Sequence, residues 1–363
     1  MKITKPLILG VVAGLALSTA AAVTPASADP VSGSYVAVGS DTLEASMDAL
    51  ANGTKATGST VRIKANGLAI ASYNAFGSAK IQTKTTGPYF TRPAGSGKGV
   101  EALIASIRGT GFLGTDVTGQ VDIARSSSSA GSNANANGNL IYIPYGRDAI
   151  SYAYLPVSGH ESDLASLTTA QLKGLYDGSI TTIGGTTVNV MIPQSSSGTR
   201  KTFLADIGVS TDSTCGVSAC TSGSVPENDA SQLTVPGSII PFATSNWIAQ
   251  ANGYQVTTIT GGQLLGTIDG NAAANGSAPN LVPNPAFYST SYGRDTFLVV
   301  EYARINPADP KYDAVLAGLV DSTVTTSLTN FTANPTPSQP GAVKKKFGFL
   351  APSTTTPTRA YAW

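Results

Sequence analysis

Three segments of this chain share one pattern: a short apolar run, a turn of glycine and small hydroxyl residues, then a stretch with one apolar helical face. A fourth segment has the run and the turn. Residues 35–38 run into Gly39-Ser40-Asp41-Thr42, and Leu43, Met47 and Leu50 follow at helical spacing. Arg92-Pro93-Ala94-Gly95-Ser96-Gly97-Lys98-Gly99 leads into Val100, Leu103, Ile104 and Ile107. Residues 187–192 and Pro193 precede Gln194-Ser195-Ser196-Ser197-Gly198-Thr199-Arg200-Lys201, with Phe203, Leu204 and Ile207 beyond. Val121-Asp122-Ile123-Ala124 is followed by Arg125-Ser126-Ser127-Ser128-Ser129. Strands that alternate with helices favour an α/β fold with mainly parallel pairing. In such sheets ligands sit outside the carboxyl ends of the strands. All four turns fall there.

The residue types in these turns suit anions. The first N–H groups of a helix lack intrahelical partners, hydroxyls add donors, and the helix dipole favours negative charge. Glycine lets the backbone approach without a Cβ in the way. A single Ser or Thr before a helix is an ordinary N-cap, so the argument rests on the recurrence of the turns. Residues 92–99 are not a P-loop, because Arg92 stands where the first glycine belongs and Gly99 follows the lysine.

The first 28 residues have the layout of a secretory signal: Lys2 and Lys5, an apolar run over 7–17, and Ala26-Ser27-Ala28 as a cleavage site. Ser18 and Thr19 interrupt the apolar run before it reaches the length of a membrane span. Removing it leaves about 335 residues, enough for two domains. Formal net charge is +1, so there is no electrostatic footprint for nucleic acid. Cys215 and Cys220 are expected to pair in an oxidising compartment. Two cysteines and one histidine cannot make a typical zinc site, and no metal or cofactor is expected.

Elsewhere, residues 61–65 alternate like a strand, residues 132–139 read as an exposed Asn-rich loop, and helices are expected over 168–176 and 312–320. Tyr145-Gly146-Arg147-Asp148 recurs as Tyr292-Gly293-Arg294-Asp295, each before an apolar run. We expect both to be turns that start strands connecting two lobes. Lobe one would then comprise residues 29–148 plus 293–363, and lobe two residues 149–292.

Four motifs, in order, resemble the phosphate-binding proteins of ABC importers, a branch of the bilobed substrate-binding protein superfamily: Gly39-Ser40-Asp41-Thr42, Gly95-Ser96-Gly97, Val121 to Ser127, and Ser197-Gly198-Thr199. The last is the most specific. The resemblance implies a two-lobed, periplasmic-binding-protein-like fold of type 2. Each lobe would be a mainly parallel sheet flanked by helices, with an oxyanion held in the cleft. It places Thr42, Ser96, Ser197, Gly198 and Thr199 at ligand-contacting positions, and Ser40, Gly97, Ser126 and Ser127 in the same loops. Two charges of the family pattern are missing. Ser127 stands where an Asp usually accepts the proton of hydrogen phosphate, and Pro193 where an Arg usually precedes Ser-Gly-Thr. Asp41 and Arg125 are the expected replacements, as acceptor and as bidentate guanidinium.

Two other classes compete. A hydrolase would need an activated serine, but the sole histidine, His160, falls in a surface-like loop. Neither Gly-x-Ser-x-Gly around a plausible nucleophile nor Ser-x-x-Lys occurs. A secreted module without an uptake role is the other, since no lipoprotein cysteine follows the signal. The preferred reading is a monomeric, secreted or periplasmic binding protein that presents phosphate or a related oxyanion to a permease.

Overall fold

The computed structural model describes residues 29–361 apart from 31, 211–213 and 221–223; the expected signal segment lies outside the described residues. The elements that build the site are β1 (Tyr35–Gly39), α1 (Glu44–Asn52), β2 (Ile70–Ser72), α2 (Ser96–Arg108), β3 (Ile123–Ser126), β4 (Leu140–Tyr154), α3 (Thr169–Asp177), β5 (Asn189–Val190), β6 (Ile192–Pro193), α4 (Gly198–Asp206), β7 (Ser224–Val225), β8 (Ser238–Ala243), α5 (Thr244–Ala251), β9 (Leu264–Leu265), β10 (Gly293–Glu301), α6 (Ala314–Val320), α7 (Pro340–Lys346) and β11 (Thr358–Ala360). Among the described residues no helix is long and apolar enough to cross a membrane.

The main sheet has the order β5-β8-β4-β10-β3-β1-β2, with β9 and β11 also on β4. Pairing is parallel between β1 and β2, β1 and β3, and β5 and β8. Every antiparallel pair in this sheet involves β4 or β10. The expected α/β class holds, and β1 and β3, which pair in parallel, lead into two of the hydroxyl turns.

The central strands are buried on both faces, which explains why they are continuous apolar runs without polar alternation. Tyr35 and Ala37 of β1 face a core with Met47 and Leu50 of α1, while Val36 and Val38 face a second core with Val100 and Leu103 of α2. At the other end of the sheet, Ile239 packs with Leu172 and Phe203, and Ile240 and Phe242 pack on the opposite face with Trp247. The fifteen-residue β4 runs through both pairs of cores. It therefore joins a β1 side and a β8 side of the molecule.

Two expectations are corrected. Residues 61–65 keep their alternation, with Val61, Ile63 and Ala65 buried, but form only isolated bridges to Thr54 and Leu68. The segment folds back on α1, where Leu50 and Ala51 carbonyls accept from Ile63 N (2.8 Å) and Arg62 Nε (3.2 Å). The Tyr-Gly-Arg-Asp copies do not both start from turns: the second does, with Gly293 N donating to Thr290 O (3.1 Å), while the first lies in mid-strand. Residues 145–148 lie inside β4, residues 293–295 begin β10, and the copies pair with each other: Arg294 opposite Asp148, Asp295 opposite Arg147. Antiparallel pairing reverses one copy, so an Arg-Asp dipeptide meets its own complement across the strands. Gly146 is a packing position, since a Cβ there would come within 3.1 Å of the Phe349 ring.

Candidate functional site

The hydroxyl turns meet where β1, β3 and β6 end and α2 and α4 begin. A Cβ at Gly99 would lie 2.5 Å from Gly39 Cα, so this glycine lets the first turn of α2 sit against the end of β1. Ser96, the first residue of α2, accepts from Ser127 N (3.0 Å), and its hydroxyl lies 3.0 Å from the Ser127 hydroxyl. Gly198 opens α4 against these groups: a Cβ there would fall 2.7 Å from Ser96 Oγ, 2.9 Å from Ser128 Oγ and closer still to Ser127 Oγ. Ser197 caps α4, accepting from Arg200 N (3.1 Å), and its hydroxyl also donates to Glu227 Oε2. The ordinary capping role and a place in the cleft therefore coexist in one residue.

The β1 and β8 sides are closed on one another. Gly97 N donates to Ser196 O (3.1 Å), Ser196 Oγ to Ala94 O, Asn246 Nδ2 to Thr42 O (3.1 Å) and Asn228 Nδ2 to Asp41 Oδ2 (3.0 Å). Arg294 lies at the centre. Its Nη2 donates to Thr199 Oγ1 (2.8 Å) and Thr42 Oγ1 (3.3 Å), and its Nη1 to Ser127 O (3.4 Å), so one guanidinium touches three of the four turns. Asp148 fixes it through Nη2 (2.9 Å) and Nε (3.2 Å), and accepts from Ser245 N at the start of α5 (3.0 Å). The ion pair is buried, and hydrogen bonds to Thr42, Thr199, Ser127 and Ser245 support it, while Nη1 keeps a second N–H beyond its one long bond to Ser127 O.

Arg125 does not supply the cleft guanidinium. It is wholly buried, donating to Ser40 O (2.9 Å), Tyr73 O (2.6 Å) and Ser72 Oγ (2.6 Å), with Glu44 3.6 Å away. Strand geometry is the reason: Arg125 pairs with Gly39 across β1 and β3, so its side chain runs behind the first turn and holds the carbonyls there. Ser126 is also turned inward, bonding the backbone of Ser128. Ser40 Oγ is buried and makes no hydrogen bond.

Asp41 does not cap α1; it faces the β8 side, where Asn228 donates to Oδ2. Burial pushes its carboxyl well above the usual carboxylate range, and the charge of Glu227 adds to this. Asp41 Oδ1 and Glu227 Oε1 are buried without partners, as is Ser128 Oγ. Orphaned buried polar atoms cost about 1–3 kcal/mol each, so a cluster of them in a cleft marks a place for a ligand.

The chain therefore brings Ser40, Asp41, Thr42, Ser96, Gly97, Ser127, Ser197, Gly198 and Thr199 together, and excludes Arg125 and Ser126 from the cleft. Sequence reasoning missed Arg294, Asp148, Glu227 and Asn228. The signal for the first two was the repeated Tyr-Gly-Arg-Asp; the other two carried none. Cys215 and Cys220 are joined as a disulfide, and the Cys220 and Pro193 carbonyls accept from Arg200 (3.1 and 2.9 Å). His160 pairs with Asp163 (3.1 Å) on an exposed turn. Among the described residues no group of three or more His, Cys, Asp or Glu could hold a metal.

The arrangement can hold a desolvated tetrahedral oxyanion: a guanidinium fork, converging hydroxyls, two helix N-termini and carboxyl acceptors for a proton. A family model described as a PBP superfamily domain matches residues 24–321. A search among curated proteins finds no match. Among solved structures the chain is similar to an ABC-type phosphate transport receptor from Vibrio cholerae (17% identity, 88% of this chain and 100% of that one, TM-score 0.46). It is also similar to a phosphate-binding protein from Stenotrophomonas maltophilia (15% identity, 88% and 91%, TM-score 0.48). A third likeness is to a putative phosphate ABC transporter substrate-binding protein from Clostridium perfringens (15% identity, 80% and 94%, TM-score 0.46).

Proposed function

We propose that this chain, which belongs to the PBP superfamily, is an extracytoplasmic solute-binding protein that captures an inorganic oxyanion, phosphate in the first place, for ABC-type uptake. The observation that carries this is Arg294, whose guanidinium spans Thr42, Ser127 and Thr199 in a buried cleft rimmed by hydroxyls. The fork suits two oxygens of a tetrahedral anion. Ser96, Ser127 and the N–H groups at the start of α4 complete the donor set, and Asp41 accepts the proton that phosphate carries and sulfate lacks. A fully deprotonated anion would face an unpaired carboxylate, which is how the site rejects it.

The two lobes comprise residues 29–148 plus 293–363 and residues 149–292, hinged where β4 and β10 run side by side. Opening exposes the turns, and closure around the anion gives the form presented to a permease. The protein works outside the cytoplasm after cleavage near Ala28. Its role is binding without bond-making. A thermal-shift series with phosphate, arsenate, sulfate and molybdate tests this, because a ligand of the native state raises the midpoint by mass action. Phosphate and arsenate should shift it and sulfate should not; no shift with any of the four would sink the proposal.

A further inference from the structure

Glu227 lies opposite Asp41, on the far side of the cleft, and the oxyanion reading above leaves it without a role. It is not a stray surface acid. Asn228, beside it, has φ +56°, a left-handed conformation that asparagine tolerates. Asn228 is held there at three points: its Oδ1 accepts from Ala243 N (2.8 Å), its carbonyl from Gln250 Nε2 (2.9 Å), and its Nδ2 donates to Asp41. This anchorage fixes Glu227 with Oε2 on the Ser197 hydroxyl and leaves its Oε1 buried without a partner, as Asp41 Oδ1 is, and the charge of Glu227 adds to the upward push on the Asp41 carboxyl. Two carboxyls that face one another in a buried cleft, each with an unpartnered oxygen, are not both ionised at low cost.

The surrounding charges do not relieve the pair. Glu44 of α1 adds to the negative field at Asp41. Arg294 is matched by Asp148. Arg125 is matched by Glu44 and bonded to the carbonyls of Ser40 and Tyr73. Arg200 is directed to the carbonyls of Pro193 and Cys220. A dianion entering this cleft would meet two carboxyls and one cation whose charge is already balanced. Protons have to enter with it.

We propose that Asp41 and Glu227, one from each side of the cleft, share protons with the bound oxyanion as one cluster, so that the site takes its ligand as the protonated monoanion and Glu227 is a second specificity-determining carboxyl. This rests on the oxyanion reading. The chemical class is a tetrahedral oxyacid able to donate two hydrogen bonds, such as dihydrogen phosphate or dihydrogen arsenate. Sulfate and phosphate monoesters have fewer protons to give.

Calorimetric titration of the mature protein with inorganic phosphate, in two buffers of different ionisation enthalpy at about pH 8, reads the protons taken up per ligand. We expect about one, with Kd weakening about tenfold from pH 8 to pH 9. Glu227→Gln should reduce the uptake, flatten that slope and narrow the gap between phosphate and sulfate. Phosphate binding by the wild-type protein with no proton uptake and a flat Kd would overturn the inference and leave the oxyanion reading intact. No heat with phosphate, arsenate or sulfate at either pH would remove both. The wild-type measurement stands even if the variant fails to fold.

Discussion

Arg294→Lys is the substitution that best separates binding from folding at this site. The guanidinium makes two bonds to Asp148, one each to the hydroxyls of Thr42 and Thr199, and one to Ser127 O. A lysine keeps a positive charge beside the buried Asp148 but offers three donors on one atom, and it cannot address both Asp148 and a second pair of oxygens in one plane. The bonds to Ser127 and Thr42 are the longest, so their loss should cost the fold only about 1–2 kcal/mol. For an anion the loss is larger, since each charge-assisted hydrogen bond is worth about 1.5–3 kcal/mol, or roughly tenfold to a hundredfold in Kd. Urea denaturation gives the first quantity and phosphate calorimetry the second. Arg294→Met is the contrasting control: it leaves Asp148 as an unpaired buried carboxylate, and should destabilise by about 3–5 kcal/mol. A well-folded Arg294→Lys protein whose phosphate Kd stays within about twofold of wild type would refute the placing of this arginine on the ligand.

Three further outcomes follow from the same geometry. Gly198→Ala puts a methyl among the hydroxyls of Ser96, Ser127 and Ser128, so phosphate affinity should fall at least about a hundredfold, and displacing those hydroxyls should lower urea stability by about 1–3 kcal/mol even though alanine suits the first turn of α4. Arg125→Met should do the opposite in kind, lowering stability by about 3–5 kcal/mol through the loss of a buried, fully bonded guanidinium. Glu44 makes stability pH-dependent: burial pushes its carboxyl up to about 7, against the pull of Arg125. Its folded value is raised above the ordinary glutamate value of 4.5, so its contribution is full below that pH and is lost as pH rises through about 7. Glu44→Gln should therefore flatten the decline in urea stability between about pH 5 and pH 8 by an amount on the order of 3 kcal/mol.

Local order along the chain was legible where a residue's partners are its sequence neighbours or a whole strand. Met47 and Leu50 declared α1, the double-faced apolar run at residues 35–38 declared a buried strand, and the hydroxyl turns fell at strand ends because glycine and serine are what a helix N-terminus near a ligand requires. The charges were misassigned for a different reason. Arg125 sits in a ligand loop by sequence, but its pairing with Gly39 in the sheet aims it behind that loop. Arg294 is far from every loop in sequence and reaches three of them only because β4 and β10 cross between the cores. Its clue, the repeated Tyr-Gly-Arg-Asp, reads in the sequence as two turns, since Gly and Asp are common turn residues and strand pairing of a motif with itself leaves no local mark. Glu227 is oriented by the left-handed Asn228 and its bonds to Ala243 and Gln250, none of which a linear pattern encodes.

The central claim is that an oxyanion binds between Arg294 and the start of α4. Co-crystallisation with arsenate, with anomalous diffraction at the arsenic edge, tests it most directly. The account predicts a single strong peak within hydrogen-bond reach of Arg294, Ser96, Ser127 and the N–H groups of Gly198 and Thr199, with Asp41 on the same ion. A peak elsewhere, or none at a concentration that shifts the melting midpoint, would contradict it.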